Sequence, residues 1–460
     1  MAERKNMADM NGINEKTLSD FKKTFEENIL SKPLTNALAK HDIDDVVFVN
    51  SGRAATQFQF DVDIKTLPAT NQKKSGRCWI FSALNVLREK AADTCNIDRK
   101  SYPEKFELSQ NYVAFWDKFE KINYFLESII ALADRPLDDR LVDYILQSGI
   151  NDGGQWDMFV NVVEKYGVVP QSAMEETFQS ENTAHMNELI NTKLRQSAAE
   201  LRNSVAGGKD AKSIKYEKEE MMFDFYSLLC MCFGEPPKTF DFEYTDKDGN
   251  YHADRDLTPK SFYEKYIGCD LANDFASLIN SPTEDKPFYE NVTIDWLNNV
   301  AEGRPVKYLN VPMEDMKSAI VKQLKSGMPV WFGSDVSKMG ERQMGLWSDA
   351  LFDYNGTLGI DFSMTKEFAL PYRDSAMNHA MVITGVNFGV NGKPDRWKIE
   401  NSWSDERGNK GYFVMNAGWF DKYVFQAVVK KEFMTEKMLG ALKNEPKHFY
   451  PWDPMGTLAD

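Results

Sequence analysis

Several features that would decide the class of this chain are scarce or missing. Only five of its 460 residues are cysteine, at positions 78, 95, 230, 232 and 269. An odd number without regular spacing argues against a disulfide framework and for a reducing compartment, so the expected location is cytoplasmic. The five histidines form no HExxH pair, and there is neither a phosphate loop nor a dinucleotide fingerprint. No uninterrupted apolar run approaches the roughly 18 residues that cross a bilayer, so no membrane span is expected. The first fifteen residues are polar and mixed in charge, without the apolar core of a secretory signal. Positive charge is also short: 55 Lys and Arg face 70 Asp and Glu, a formal net charge of −15. That balance argues against nucleic acid as a partner, and Lys73, Lys74, Lys430 and Lys431 read as solvated surface. Hydrophobic residues make up 42% of the chain, enough for a sizeable core. The length corresponds to about three domain-sized units, or one core with a large insertion.

Against this background the stretch Gln72-Lys73-Lys74-Ser75-Gly76-Arg77-Cys78-Trp79 stands out. A turn around Ser75 and Gly76 runs into an apolar segment with helical spacing, which puts Cys78 at a helix N-terminus. Free N–H groups and the positive end of the helix dipole favour a thiolate there, and a thiolate is a nucleophile. The side-chain amide of Gln72, six residues upstream, can fold back and join the Cys78 N–H in stabilising an oxyanion. Asn378-His379-Ala380 opens an apolar strand, and Glu400-Asn401-Ser402-Trp403 closes another after a turn at Asn391-Gly392. A histidine and an asparagine on adjacent strands can hydrogen-bond, which fixes the ring tautomer and aims its other nitrogen. By itself Cys78 could equally be a small buried hydrophobe; the joint pattern of Gln72, Cys78, His379 and Asn401 favours catalysis.

These segments resemble the papain superfamily of cysteine peptidases, with Gln-x5-Cys-Trp, Asn-His-Ala and Asn-Ser-Trp in its chain order. Two departures narrow the resemblance. Ser-Gly-Arg-Cys-Trp stands where Cys-Gly-Ser-Cys-Trp is typical, and 301 residues separate Cys78 from His379, about twice the usual gap. Both are similar to the bleomycin hydrolase and aminopeptidase C family, as are Asn151-Asp152-Gly153-Gly154-Gln155-Trp156-Asp157 and the ending Pro451-Trp452-Asp453-Pro454-Met455-Gly456. Ser404 departs in turn, because glycine usually follows Asn-Ser-Trp, and a changed loop beyond Trp403 is expected.

The resemblance implies an α+β fold of papain-like, two-lobed type, a helical lobe facing an antiparallel β-barrel lobe. It divides the chain into an N-terminal arm (1–66), a helical lobe with Cys78 (67–170), a mainly helical insertion (171–300), a β-barrel lobe with His379 and Asn401 (301–435) and a C-terminal helix and arm (436–460). It further implies aminopeptidase action on peptide substrates, a homohexamer, and no cofactor or metal. Gly153 and Gly154 would pair with substrate backbone as an added strand, Trp403 would shield the His379–Asn401 bond, and Ala459 and Asp460 would limit peptide entry. An endopeptidase on the same fold and an inactive peptidase-fold binding protein are the alternatives.

Other motifs read as structure. The aromatic stripe from Leu108 to Ala133 is core, and Asp45-Val46-Val47-Phe48-Val49 reads as extended. Asp246-Lys247-Asp248-Gly249-Asn250 resembles a calcium loop, but its twelfth position is Leu257, so a hairpin turn is expected. Cys230-Met231-Cys232 lacks a second ligand pair and reads as buried helix.

Overall fold

The computed structural model describes residues 11–54, 57–99 and 106–459. They fall into two compact units, the smaller made of the N-terminal segment to residue 55 with residues 350–363. Its first helix, Glu15–Glu27, is capped by the Asn14 side chain, and Leu18, Phe21 and Phe25 on it are exposed. The run expected to be extended over 45–49 is helical as far as Val47. Asp42 caps that turn through the Asp44 N–H, and Asp44 and Asp45 sit at its positive end, which outweighs the strand preference of two valines. Extended backbone begins only at Phe48, which bridges Phe352.

The larger unit is built on β-strands β1 (Val62–Asp63), β2 (Phe240–Thr245), β3 (Tyr251–Leu257), β4 (Phe275–Ile279), β5 (Asn291–Ile294), β6 (Lys307–Asn310) and β7 (Val330–Ser334). It continues with β8 (Gly340–Glu341), β9 (Leu346–Trp347), β10 (His379–Phe388), β11 (Pro394–Glu400), β12 (Tyr412–Asn416), β13 (Val424–Lys430) and β14 (Lys447–Phe449). Strands β2 and β3 form the hairpin expected around Asp246, whose carboxylate accepts from the N–H groups of Asp248 and Asn250. The other twelve form one sheet in the order β14-β5-β6-β4-β13-β7-β10-β11-β12-β9-β8, with β1 beside β10.

The expected antiparallel barrel is corrected here. The sheet is mixed, because β4 runs parallel to β6, β5 to β14 and β9 to β12. Apart from the short β1, its strands run from Phe275 onward, so β4 and β5 lie within the stretch 171–300 that reads as mainly helical. Phe275–Ile279 is buried at every position, so it shows no alternation, and a short unbroken apolar run does not distinguish strand from helix.

The helix Cys78–Thr94 is buried along most of its length and lies on the sheet. Ser82 donates to the Ala380 carbonyl at 2.8 Å, and the Trp331 indole donates to the Trp79 carbonyl at 3.1 Å. Behind it the aromatic stripe forms the helix Gln110–Ala131, N-capped by Ser109, with Trp116 stacked on Tyr166 at 3.9 Å. Helices Ala184–Ala206 and Ala211–Phe233 pack against the other side of that helix, and Cys230 and Cys232 lie half-buried on the second of them.

One buried ion pair joins helix to sheet. Arg88, 1% exposed, meets Glu400 at the end of β11 at 2.7 Å and also donates to the Leu67 and Pro68 carbonyls. Burial pushes the Glu400 carboxyl up to about 7 against the pull of Arg88. Removing one partner strands the other charge, which costs about 3–5 kcal/mol. In Arg88→Met, Glu400 must fold protonated. An acid whose folded pKa is raised loses stability as pH climbs from its unfolded value through its folded one. Urea midpoints for Arg88→Met are therefore expected to show a large deficit at pH 8 that shrinks toward pH 5; a deficit independent of pH would contradict this account.

Candidate active site

Cys78 begins its helix beneath the first residues of β10. The Ala380 N–H donates to its sulfur at 3.4 Å, and His379 stands at the start of the same strand. The His379 Nε2 lies 2.8 Å from the Asn401 Oδ1, across the step from β10 to the residue after β11. That bond occupies Nε2, so Nδ1 is the ring nitrogen available for proton transfer. The Trp403 ring covers the imidazole, with centroids 4.7 Å apart, and the Arg342 guanidinium lies 5.3 Å from the indole centroid.

Gln72 reaches the same place by a separate route. Residues 70–72 run antiparallel to 402–404: the Gln72 N–H donates to the Ser402 carbonyl at 2.9 Å and the Ser404 N–H to the Thr70 carbonyl at 3.2 Å. The Gln72 Oε1 accepts from the Ser402 hydroxyl at 2.6 Å, and its Nε2 donates to the Ser75 carbonyl at 2.7 Å. The amide is thus oriented, with one N–H left over. Ser404 keeps φ at +76°, a left-handed conformation that favours glycine, so the loop beyond Trp403 bends sharply despite its serine.

Cys78, His379 and Gln72 line one cavity of about 560 Å³ together with Gly76, Asp152, Gly153, Asn378, Thr457 and Leu458. The glycine pair forms one wall. A Cβ on Gly154 would stand 2.5 Å from the Trp79 ring, and one on Gly153 would stand 2.5 Å from the Leu458 carbonyl, so neither position admits a side chain. The edge expected to take substrate is occupied by the chain itself: the Gly154 N–H donates to the Leu458 carbonyl at 3.0 Å. Thr457 is fixed to the Met377 carbonyl at 2.9 Å, and Ala459 lines a smaller cavity of about 90 Å³ beyond Gly153. Asp460 lies outside the described residues.

The electrostatics differ from what a helix N-terminus alone implies. Cys78 is 5% and His379 4% exposed. Burial pushes the thiol up to about 11, outweighing the N–H groups of Ala380, Trp79 and Cys78, and pushes the imidazole down to about 4, against the Asn401 bond. A lone charge on either group is therefore disfavoured. The thiolate is supported only when the imidazolium forms beside it, because opposite charges in a dry site offset each other's loss of water.

Three residues carry parts that local sequence does not reveal. Arg77 is buried and forms a two-pronged pair with Glu176 at 3.1 and 2.8 Å, while its Nε donates to the Ser75 hydroxyl. Asp152 and Lys118 meet at 2.5 Å beneath the glycine wall. Asp152 stands in the glycine motif without an evident role, whereas a lysine within an aromatic stripe carries no local signal of burial.

Known proteins resemble this chain in sequence and in fold. The model of the Peptidase C1-like family matches residues 12–456. The chain is 46% identical to aminopeptidase C of Listeria innocua over 442 residues, covering 96% of this chain and 98% of the relative. It is 39% identical to bleomycin hydrolase of Gallus gallus over 436 residues, covering 93% and 92% of the two chains. The crystal structure of PepW from Lactobacillus rhamnosis superposes with a TM-score of 0.94 at 42% identity, covering 97% of this chain and 99% of that one.

If the thiolate depends on the imidazolium, His379→Ala isolates a buried thiol. Alkylation of Cys78 by iodoacetamide at pH 7 is expected to slow at least tenfold in that variant and to rise steeply only above pH 9. In the wild type Cys78 should react ahead of Cys95, which burial pushes up to about 12 without a base beside it. Equal rates for wild type and variant would refute the coupled pair.

Proposed function

Because the chain belongs to the Peptidase C1-like family, we propose that it is a cysteine aminopeptidase that removes N-terminal residues from peptides. The observation that carries this reading is the His379–Asn401 bond held against Cys78 in a cleft whose far end is filled by residues 457–459. In the reaction the Cys78 proton passes to His379 and the sulfur attacks the scissile carbonyl. The Cys78 N–H and the free N–H of Gln72 take the developing oxyanion. His379 returns its proton to the leaving amine as the C–N bond breaks, leaving a thioester. Water, deprotonated by His379, then attacks the thioester; the acid departs and Cys78 regains its proton. Asn401 holds the ring orientation throughout, and Trp403 keeps water from that bond.

We read the cleft as lying between a mainly helical lobe and a sheet lobe, the papain-like division, because Cys78 opens a helix and His379 opens a strand. The exopeptidase part of the reading rests on Thr457, Leu458 and Ala459. They belong to the short 3-10 helix Pro454–Ala459, whose Leu458 carbonyl takes the Gly154 N–H, so a bound peptide can extend only a short way on that side. We assign the protein to the cytoplasm, which the free cysteines support. We also assign it a hexameric assembly, which the exposed apolar row of Leu18, Phe21 and Phe25 supports; light scattering that gives a monomer at micromolar concentration would refute it.

Deleting residues 457–460 should open the far end of the cleft. The truncated enzyme is expected to cleave peptides blocked at the N-terminus and to cut internally, with Cys78-dependent turnover retained. If it still releases only single N-terminal residues, the arm does not set the cleavage position. Loss of all hydrolysis in Cys78→Ala, with an unchanged circular dichroism spectrum, is the accompanying control; persistence of activity would overturn the nucleophile assignment.

A further inference from the structure

Asp152 is more fully engaged than a turn residue needs to be. Its Oδ2 accepts the Gly76 N–H at 2.9 Å and the Thr183 hydroxyl. Its Oδ1 accepts Lys118 at 2.5 Å and the Asn187 amide at 2.9 Å. Its backbone carbonyl takes the Trp79 indole N–H at 2.6 Å. These donors come from four parts of the chain: the turn before Cys78, the nucleophile helix, the helix Gln110–Ala131, and the start of the helix Ala184–Ala206 with its cap. The next residue, Gly153, begins the glycine wall.

The lysine is bonded as completely as the carboxylate. Lys118 is 1% exposed and donates also to the Asn187 Oδ1 at 2.7 Å. One turn further along its helix, Lys121 donates to the Gly153 carbonyl and pairs with Asp117 at 2.7 Å. Two lysines and two aspartates thus share a dry site, balanced in charge. A buried ion pair adds little stability over an apolar filling of the same shape, so its presence calls for another account. Here it fixes geometry. A Cβ on Gly76 would meet the Asp152 Cβ at 2.9 Å, so the turn that supplies the oxyanion groups is pressed against this side chain.

We propose that Asp152, paired with Lys118, is a positioning residue that registers the oxyanion turn at Gly76–Cys78 against the glycine wall that binds peptide. The inference rests on the assignment of Cys78 as nucleophile. It also gives the chain between 183 and 187 a role, since Thr183 and Asn187 dock the following helix onto the same carboxylate and that helix then supports the cleft.

The pair has an electrostatic consequence with a definite sign. The charged and titratable groups facing Cys78 are His379 from β10 and Asp152 from the glycine turn, with Lys118, Lys121 and Asp117 behind Asp152, and Arg342 beyond His379. The Asp152 charge disfavours a thiolate, and Lys118 offsets it. Removing the carboxylate leaves an unpaired cation and eases thiolate formation; removing the lysine leaves an unpaired anion and opposes it. A residue that only holds the fold together would not move the two variants in opposite directions.

The test uses the full chain with Asp152→Asn, Lys118→Met and the double variant. Peptide hydrolysis gives kcat and KM, and iodoacetamide labelling of Cys78 against pH gives the thiol titration without substrate. Asp152→Asn is expected to lower kcat at least tenfold with KM within threefold. The labelling profile should move to lower pH in Asp152→Asn, to higher pH in Lys118→Met, and back near the wild type in the double variant, whose kcat stays low. Should a single variant not fold, Thr183→Val keeps both charges and removes one donor; a several-fold loss of kcat with the labelling profile unmoved is expected. Shifts of the same sign, no shifts, or an unchanged kcat in the folded variants would overturn the proposal. Absence of Cys78-dependent hydrolysis in the wild type would instead overturn the nucleophile assignment, so the two failures are distinguishable.

Discussion

Loss of water around Cys78 and His379 is the constraint on which the rest of the site depends. Packing a helix end against the first residues of β10 strips solvent from both groups, so neither carries a charge alone. The surroundings answer this in two ways. Asn401 and the Trp403 ring fix the orientation of the imidazole, which shares the cavity with the thiol. N–H groups of Ala380, Trp79 and Cys78 converge on the sulfur without adding a competing charge. A dry site also strengthens the attraction between thiolate and imidazolium once both form. The burial that raises the cost of each charge thus ties the two protonation states together, which a nucleophile and its acid–base partner require.

Other buried charges near the cleft come paired and join elements distant in sequence. Arg88 and Glu400 fasten the nucleophile helix to the strand leading into Asn401. Arg77 and Glu176 fasten the turn before Cys78 to the segment that follows the helix Trp156–Tyr166. Lys118 and Asp152 fasten the helix Gln110–Ala131 to the glycine wall, and the Gly76 N–H ties the turn before Cys78 to the same carboxylate. None is needed for a hydrophobic core, and apolar side chains could replace them at small cost. Their shared property is direction: each sets an angle or register that non-directional packing leaves free.

Much of the site can be read from local sequence because its chemistry is local. Cys78 announces itself by a turn and an apolar helical run, His379 by a strand start, and Asn401 by a strand end. The paired segments 70–72 and 402–404, by contrast, meet only through the fold, so Gln72 can be nominated from sequence but not placed. The mixed sheet is hidden for a similar reason. Parallel pairing of β4 with β6 depends on β5 turning back along the far side of β6, and no local periodicity records that. At Val46-Val47 the signals conflict, and a side-chain cap decides against strand preference. The direction of the Cys78 titration is illegible in sequence because helix-end donors are visible there and burial is not.

The arm at 457–459 and the glycine wall explain each other physically. The Gly153 N–H and carbonyl are met by Asn151 and Lys121, which leaves the Gly154 N–H in need of a partner. The chain's own Leu458 supplies one by intramolecular contact, at a high effective concentration that a free peptide must overcome. Short flexible substrates gain little by displacing it, because they would exchange one backbone hydrogen bond for another while losing translational freedom. What they can gain lies on the open side, next to Cys78, where no chain segment competes. On the proposed reading, the backbone group that would take a peptide is occupied from within, which shortens the groove without altering a catalytic group.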